Sequence, residues 1–198
     1  MDSTSPTEKR LFLGIPAPAG IIPPLRELQA SLEGTSGIRW VKEENLHITV
    51  FFFGNVSEEI IPNLIEMIRI TLKAFRPFEL AFDQFYLAPK PSRPRMIRAR
   101  YHKAETFRHL VNRITDLYEQ ISPEQQQRRS PTPHITVARL RGLRQLELPP
   151  DPVGTHHDVS LPRTTHHNVS IHVTNLILWS SDLQPSGAVY EPLARFSL

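Results

Sequence analysis

Apolar residues follow two rhythms along this chain. Continuous or alternating runs rich in β-branched and aromatic residues predict strands at Leu11–Ile15, Ile38–Val41, Leu46–Phe53, Phe78–Leu87, Met96–Tyr101, His134–Leu140, Ile171–Trp179 and Val189–Phe196. Apolar spacings of three and four predict helices over 20–32, from Ser57 to about Ala74, and over 104–121. Pro23 and Pro24 fall in the first turn of the first helix, where a missing N–H costs little. Gly54-Asn55 marks the end of the third strand, and Ser57 is the candidate cap of the helix after it. Residues 1–9 read as a loose tail, 10–198 as one domain, and 149–169 as a long loop without periodicity. Strands and helices interleave without a strict strand-helix-strand alternation, which predicts an α+β class with mostly antiparallel sheets.

Composition narrows the chemistry. The 198 residues hold no cysteine, so a disulfide framework, a thiolate metal site and a cysteine nucleophile are excluded, in keeping with a cytoplasmic setting. No stretch approaches the ~18 apolar residues of a membrane span, and the polar MDSTSPTEKR start does not resemble a secretory leader. Net charge is only +3, yet 18 of the 23 basic residues are arginine, the better planar fork for phosphate.

One tetrapeptide occurs twice. His47-Ile48-Thr49-Val50 returns as His134-Ile135-Thr136-Val137, 87 residues later. In a strand, positions i and i+2 share a face, so each copy presents an imidazole beside a hydroxyl. Composition predicts about 0.6 H-x-T triplets by chance, and three occur, so the pattern does not select the pair by itself. The third, His172-Val173-Thr174, continues with Asn175 instead of valine and reads as a decoy. Two such strands brought together would line a cleft with two imidazoles and two hydroxyls, a set suited to acid–base chemistry at neutral pH.

The flanks of these motifs resemble a known family. Arg10-Leu11-Phe12-Leu13-Gly14-Ile15, Arg39-Trp40-Val41, Asn45 to Gly54, Pro77-Phe78-Glu79-Leu80, Arg93-Pro94-Arg95 and Pro133 to Arg139 fall in the order of the 2H phosphoesterases of the LigT/ThpR type, and the segment Leu176–Phe196 is similar to the family's closing hairpin. The resemblance covers residues 10–145 and 170–198. It implies a bilobal fold, two mostly antiparallel sheets with flanking helices around a central cleft. It also implies hydrolysis of an RNA 2′,3′-cyclic phosphate terminus to a 2′-phosphomonoester, without cofactor or metal, and reversible 2′–5′ joining in the same cleft. His47 would be the proton donor, His134 the proton acceptor, and Thr49 and Thr136 hydrogen-bond donors to the phosphate. The expected partner is RNA or an oligonucleotide, with no membrane, and the protein is expected to be a monomer.

Two segments depart from the family's pattern. Phe51 stands where the family carries a polar residue, which predicts an altered cleft near His47, and the 149–169 loop is longer and richer in histidine. Among candidate substrate ligands, Arg139 lies five positions beyond His134, on the opposite face under strict alternation, and would reach the phosphate only if the strand bulges. Arg98, which shares a face with Arg100, would track an RNA backbone or guard an exposed edge strand. Tyr190 and Trp40 would stack on a base or pack in the core, and Arg128-Arg129 would meet RNA or serve solubility. The pairs His156-His157 and His166-His167 lack helical ligand spacing, so no metal site is assigned. The competing readings are a non-catalytic RNA- or nucleotide-binding module on the same fold and a hydrolase using metal on the histidine-rich loop.

Overall fold

A computed structural model describes residues 7–122, 132–143, 146, 170–184 and 187–198. In chain order the strands are β1 (Glu8–Pro16), β2 (Ile38–Trp40), β3 (His47–Ser57), β4 (Phe78–Ala88), β5 (Met96–Tyr101), β6 (His134–Leu140), β7 (Ser170–Val173), β8 (Asn175–Gln184) and β9 (Gly187–Ser197). The helices are α1 (Ile22–Ser31), α2 (Ile61–Leu72) and α3 (Glu105–Ile121). The strands pair in the order β7-β4-β5-β6-β3-β1-β8-β9, with β2 on β6, and every pairing is antiparallel. This is the expected α+β class.

The sheet is two halves. On one side β6 pairs along its length with β5; on the other, β3 pairs along its length with β1. Between β3 and β6 there is one matched pair, Ile48 with Ile135. Both isoleucines are buried, and elsewhere the two strands part, which opens a cleft between the lobes. β7 and β8 stand far apart in the pairing order, yet only Thr174 separates them in the chain. With ~3.8 Å per Cα step, the sheet has to curl until its β7 end meets β8. On the helical side, α3 packs on β3, and α2 packs on α3 and β9. Leu64, Ile68, Leu110, Ile114 and the strand residues Leu11, Leu13 and Phe53 share one buried cluster.

Four local expectations are corrected. Glu8 and Lys9, assigned to the tail, pair with Ser57 and Val56. The third strand does not stop at Gly54: Phe53 is an extra residue between the Phe12–Phe52 and Leu11–Gly54 pairs, and Gly54, at φ 75°, carries the chain through this bulge. Ser57 therefore ends a strand and caps nothing; α2 starts at Ile61, so Pro62 falls in its first turn, whereas a helix capped by Ser57 would need an N–H at Pro62. The apolar run at 171–179 is split by Thr174, its first part pairing with β4 and its second with β1 and β9. The 149–169 loop and Arg128-Arg129 lie outside the described residues.

Candidate active site

The Ile48–Ile135 pair sets the site. In an antiparallel ladder, the residues before and after a matched pair face their counterparts in reverse order. His47 thus lies on the side of Thr136 and Thr49 on the side of His134, all four on the face opposite the buried isoleucines. All four line one cavity of about 200 Å³. The spatial expectation drawn from the repeat is met: two segments far apart in sequence converge on a shared pocket.

The repeat extends past the tetrapeptide. In β3 the register against β1 jumps from Gly14–Thr49 to Leu13–Phe51, leaving Val50 as an extra residue. In β6 the register against β5 jumps from Arg98–Thr136 to Ile97–Ala138, leaving Val137 as the extra residue. Each bulge resets the alternation by one position. Consequently Phe51 and Ala138 are buried, while Phe52 and Arg139 return to the cleft with the histidines. Arg139 therefore reaches the pocket by the bulge the sequence reading required. Phe51, expected to alter the cleft, instead packs against Phe53 and Tyr118 in the core.

Both imidazoles are held the same way. His47 Nδ1–H donates to the Asn45 carbonyl at 2.8 Å, and His134 Nδ1–H donates to the Thr132 carbonyl at 2.9 Å. A carbonyl only accepts, so each Nδ1 carries the proton and each Nε2 is left for chemistry in the pocket. The surroundings differ. His47 is walled by Phe12, Tyr190 and Trp179, ring centroids 4.7, 5.3 and 5.7 Å away. This burial pushes its pKa below the ordinary 6.5; the Asn45 carbonyl opposes that, and charge on His134 adds to it. Burial likewise lowers the pKa of His134, opposed by the Thr132 carbonyl and reinforced by the Arg98 guanidinium. Gly14 permits the crowding around His47: a Cβ there would stand 2.8 Å from the Ile48 carbonyl oxygen, 3.0 Å from Trp179 and 3.4 Å from the His47 ring.

The other sequence candidates separate clearly. Tyr190 lines the pocket; burial raises its pKa while Arg139 and Arg10 oppose that. Arg98 lines neither this cavity nor the larger groove beside it. It sits across from Thr136 as a fixed charge next to His134, its Nε buried without a hydrogen-bond partner among the described residues. Arg100 is bound to Asp83 at 2.6 Å, and β5 is an interior strand, so the edge-guarding reading fails. Trp40 packs on the core from the rim of the larger groove. His172 is an exposed residue of β7, 4.0 Å from Glu79 and outside the pocket. The pairs His156-His157 and His166-His167 fall outside the described residues.

Sequence reasoning missed Arg10 and Phe52. Arg10, from β1, lies over the Phe52 ring at 4.8 Å and lines the pocket together with Arg139. Phe52 and Arg139 hold equivalent places in the two copies; β6 supplies its own cation, whereas β3 supplies a ring on which a neighbouring strand's cation rests. Counting five residues from each histidine would have paired these positions, but only the bulges turn them inward.

A doubled sheet that meets at one pair carries two Nδ1-anchored histidines, two threonines and two arginines around one small pocket, a set suited to acid–base chemistry on a phosphate ester. The comparisons agree. The family described as LigT like Phosphoesterase matches residues 15–97. A relative in Methanothermobacter thermautotrophicus, named RNA 2′,3′-cyclic phosphodiesterase, is 28% identical over 96% of this chain and 98% of its own. One of the same name in Archaeoglobus fulgidus is 28% identical over 94% and 99%. A crystal structure of a Thermus thermophilus protein superposes with a TM-score of 0.77 at 25% identity, covering 96% of this chain and 97% of the other. The chain is thus similar to the LigT-like phosphoesterases, through the model over residues 15–97 and through relatives that align with nearly its whole length.

Proposed function

We propose that this protein hydrolyses the 2′,3′-cyclic phosphate at the end of an RNA strand to a 2′-phosphomonoester; the relatives it resembles are named RNA 2′,3′-cyclic phosphodiesterases. The observation that carries the reading is the convergence of two imidazoles, each anchored through Nδ1, on a single pocket. In-line opening of the cyclic diester needs a base on the attacking side and an acid on the leaving side. His134 Nε2 takes a proton from water as the water oxygen bonds to phosphorus. His47 Nε2–H gives a proton to the 3′ oxygen as its bond to phosphorus breaks. Thr49 and Thr136 hydroxyls donate to the non-bridging oxygens, and Arg139 with Arg10 offsets the charge that gathers there. The assignment of acid and base follows the family resemblance, since the anchors of the two rings are alike. The protein is taken to act as a monomer in the cytoplasm.

The deciding experiment incubates an oligonucleotide ending in a 2′,3′-cyclic phosphate with the protein in EDTA, with product assigned by mass and phosphorus NMR. A 2′-phosphate is the expected product. A 3′-phosphate would reverse the histidine assignment, loss of turnover in EDTA would favour a metal-dependent hydrolase, and binding without turnover would favour a non-catalytic module. The last reading leaves unexplained why both imidazoles are anchored through the same nitrogen.

A further inference from the structure

The two motif strands share their bulges and their imidazole anchors, but their neighbours place different groups beside them. In the β1–β3 ladder, Gly14 is paired with Thr49 just before the register slips. In the β5–β6 ladder, Arg98 is paired with Thr136 just before the matching slip. Gly14 and Arg98 therefore hold equivalent places in the two halves. Directly paired residues share a face, with Cβ atoms about 4.5–5.5 Å apart, and diagonal neighbours lie within reach of a long side chain. Arg98 thus projects on the face that carries Thr136 and His134. At Gly14 the corresponding space is closed by Trp179 and the His47 ring. One imidazole has an aromatic wall where the other has a guanidinium.

The charge on Arg98 is uncompensated. Among the described residues it has no carboxylate within salt-bridge distance, and its Nε is buried without a hydrogen-bond partner. Its Nη2 meets only the Met96 sulfur, at 3.8 Å. Arg100, paired across from His134, is instead neutralised by Asp83 at 2.6 Å. Tyr86 stands across β4 from Arg98, and His102 and Lys103 are exposed past the end of β5. The remaining titratable and charged groups near His134 are His47, Arg139, Arg10 and Tyr190 around the pocket. Arg10 and Arg139 act on the Tyr190 hydroxyl, whereas the charge that bears on His134 is that of Arg98.

Resting on the function proposed above, we infer that Arg98 is the positioning residue that separates the roles of two similarly anchored histidines: its fixed charge keeps His134 neutral, as the proton acceptor, and leaves the donor's role to His47. Arg98 lines no part of the pocket, so it acts through His134 and not on the phosphate. A guanidinium does not titrate, so it opposes a second positive charge beside it at every working pH. The same repulsion acts on the imidazolium formed when His134 takes the proton of the attacking water. That proton therefore passes readily to solvent once product has left, and the ring is reset as acceptor.

The test follows both imidazoles by NMR titration of the free protein, in the wild type and in R98Q, R98M and R98K. R98Q and R98M are expected to raise the His134 midpoint by about 0.5–1 pH unit, with a smaller change at His47. R98K, which keeps the charge, is expected to stay close to the wild type. On an oligonucleotide ending in a 2′,3′-cyclic phosphate, the acid limb of kcat/KM is expected to move up by the same amount in R98Q. Activity on that limb then falls about three- to tenfold, while the alkaline limb stays in place. Circular dichroism and thermal melting report folding; R98M, which keeps an unbranched apolar stem, carries the test if R98Q does not fold. An unchanged His134 midpoint in a folded neutral variant overturns the role of Arg98 and leaves the function standing. So does a uniform loss of activity with both limbs unmoved, or a shift of the alkaline limb instead. No turnover by the wild type overturns the function, and the two titrations alone then decide whether Arg98 holds His134 neutral.

Discussion

Two tyrosines show how single groups are balanced in this fold. Tyr118 on α3 donates its hydroxyl to the Phe53 carbonyl at 2.8 Å, and Phe53 is the residue that the bulge in β3 leaves without a partner on β1. Tyr101 is equally buried, but its hydroxyl has no partner among the described residues, and burial drives its pKa far up. Tyr118→Phe is therefore expected to cost about 1–2 kcal/mol in a urea unfolding titration, because a buried carbonyl loses its donor. Tyr101→Phe is expected to be neutral or to raise stability by up to about 1 kcal/mol, because it removes a buried polar group that gains nothing. The residues proposed as catalytic follow the same logic. His47→Ala and His134→Ala should each lower kcat by about 10²-fold or more, and His172→Ala should leave it unchanged, measured on the oligonucleotide substrate. Burial lowers the pKa of both imidazoles below 6.5, and the proposed reaction needs one neutral and one protonated. The bell of kcat/KM against pH is thus expected to peak on the acid side of 6.5 and to fall as pH rises beyond it.

At the scale of elements, the bulges and one close approach decide what the strands present. β1 lies between β3 and β8, and the absence of a side chain at Gly14 lets the His47 and Trp179 rings close over it. Adding one methyl there meets backbone oxygen at 2.8 Å, which cannot yield as a flexible side chain would. Gly14→Ala is expected to destabilise by about 1–3 kcal/mol, as overpacking does, and to lower kcat by displacing His47. Rescue of kcat without rescue of melting temperature on adding Trp179→Phe would locate the catalytic part of the defect in the ring contact. The strand bounds of β5 and β6 and the buried face of α3 were legible from periodicity, since each element buries one face along its length. The bulges at Val50 and Val137 were not, because a bulge is specified by the partner strand's register and not by the residues that form it. Arg10 went unrecognised because it reaches the pocket only through the pairing of β1 with β3.

Across the whole molecule, the lobes are joined through the Ile48–Ile135 pair, with the two histidines and two threonines on its far face. Ile135→Ala should cost about 2–5 kcal/mol as a core truncation and should reduce kcat more than KM, since it loosens the juncture that sets the two imidazoles against each other. The two lowered imidazole pKa values also act on global stability. The unfolded chain binds more protons at these sites than the folded one, so their contribution is fully present above about 6.5 and is lost as pH falls from there towards the folded values. Melting temperature is expected to drop between pH 7.5 and 5, and to drop less when both histidines are replaced by glutamine.

By itself, the sequence determined the class of the fold, the strands that carry the two tetrapeptides and the repeat of imidazole and hydroxyl, because hydrophobic rhythm and side-chain alternation are local consequences of backbone geometry. It also set His172 apart, because Asn175 stands where the two identical copies carry valine. Which strands pair, where the register slips and which side chains share a pocket were decided only by the tertiary structure. Those are long-range properties: one apolar run supplies both β7 and β8 to distant places in the sheet, and Arg139 joins His134 only after Val137 is looped out against β5.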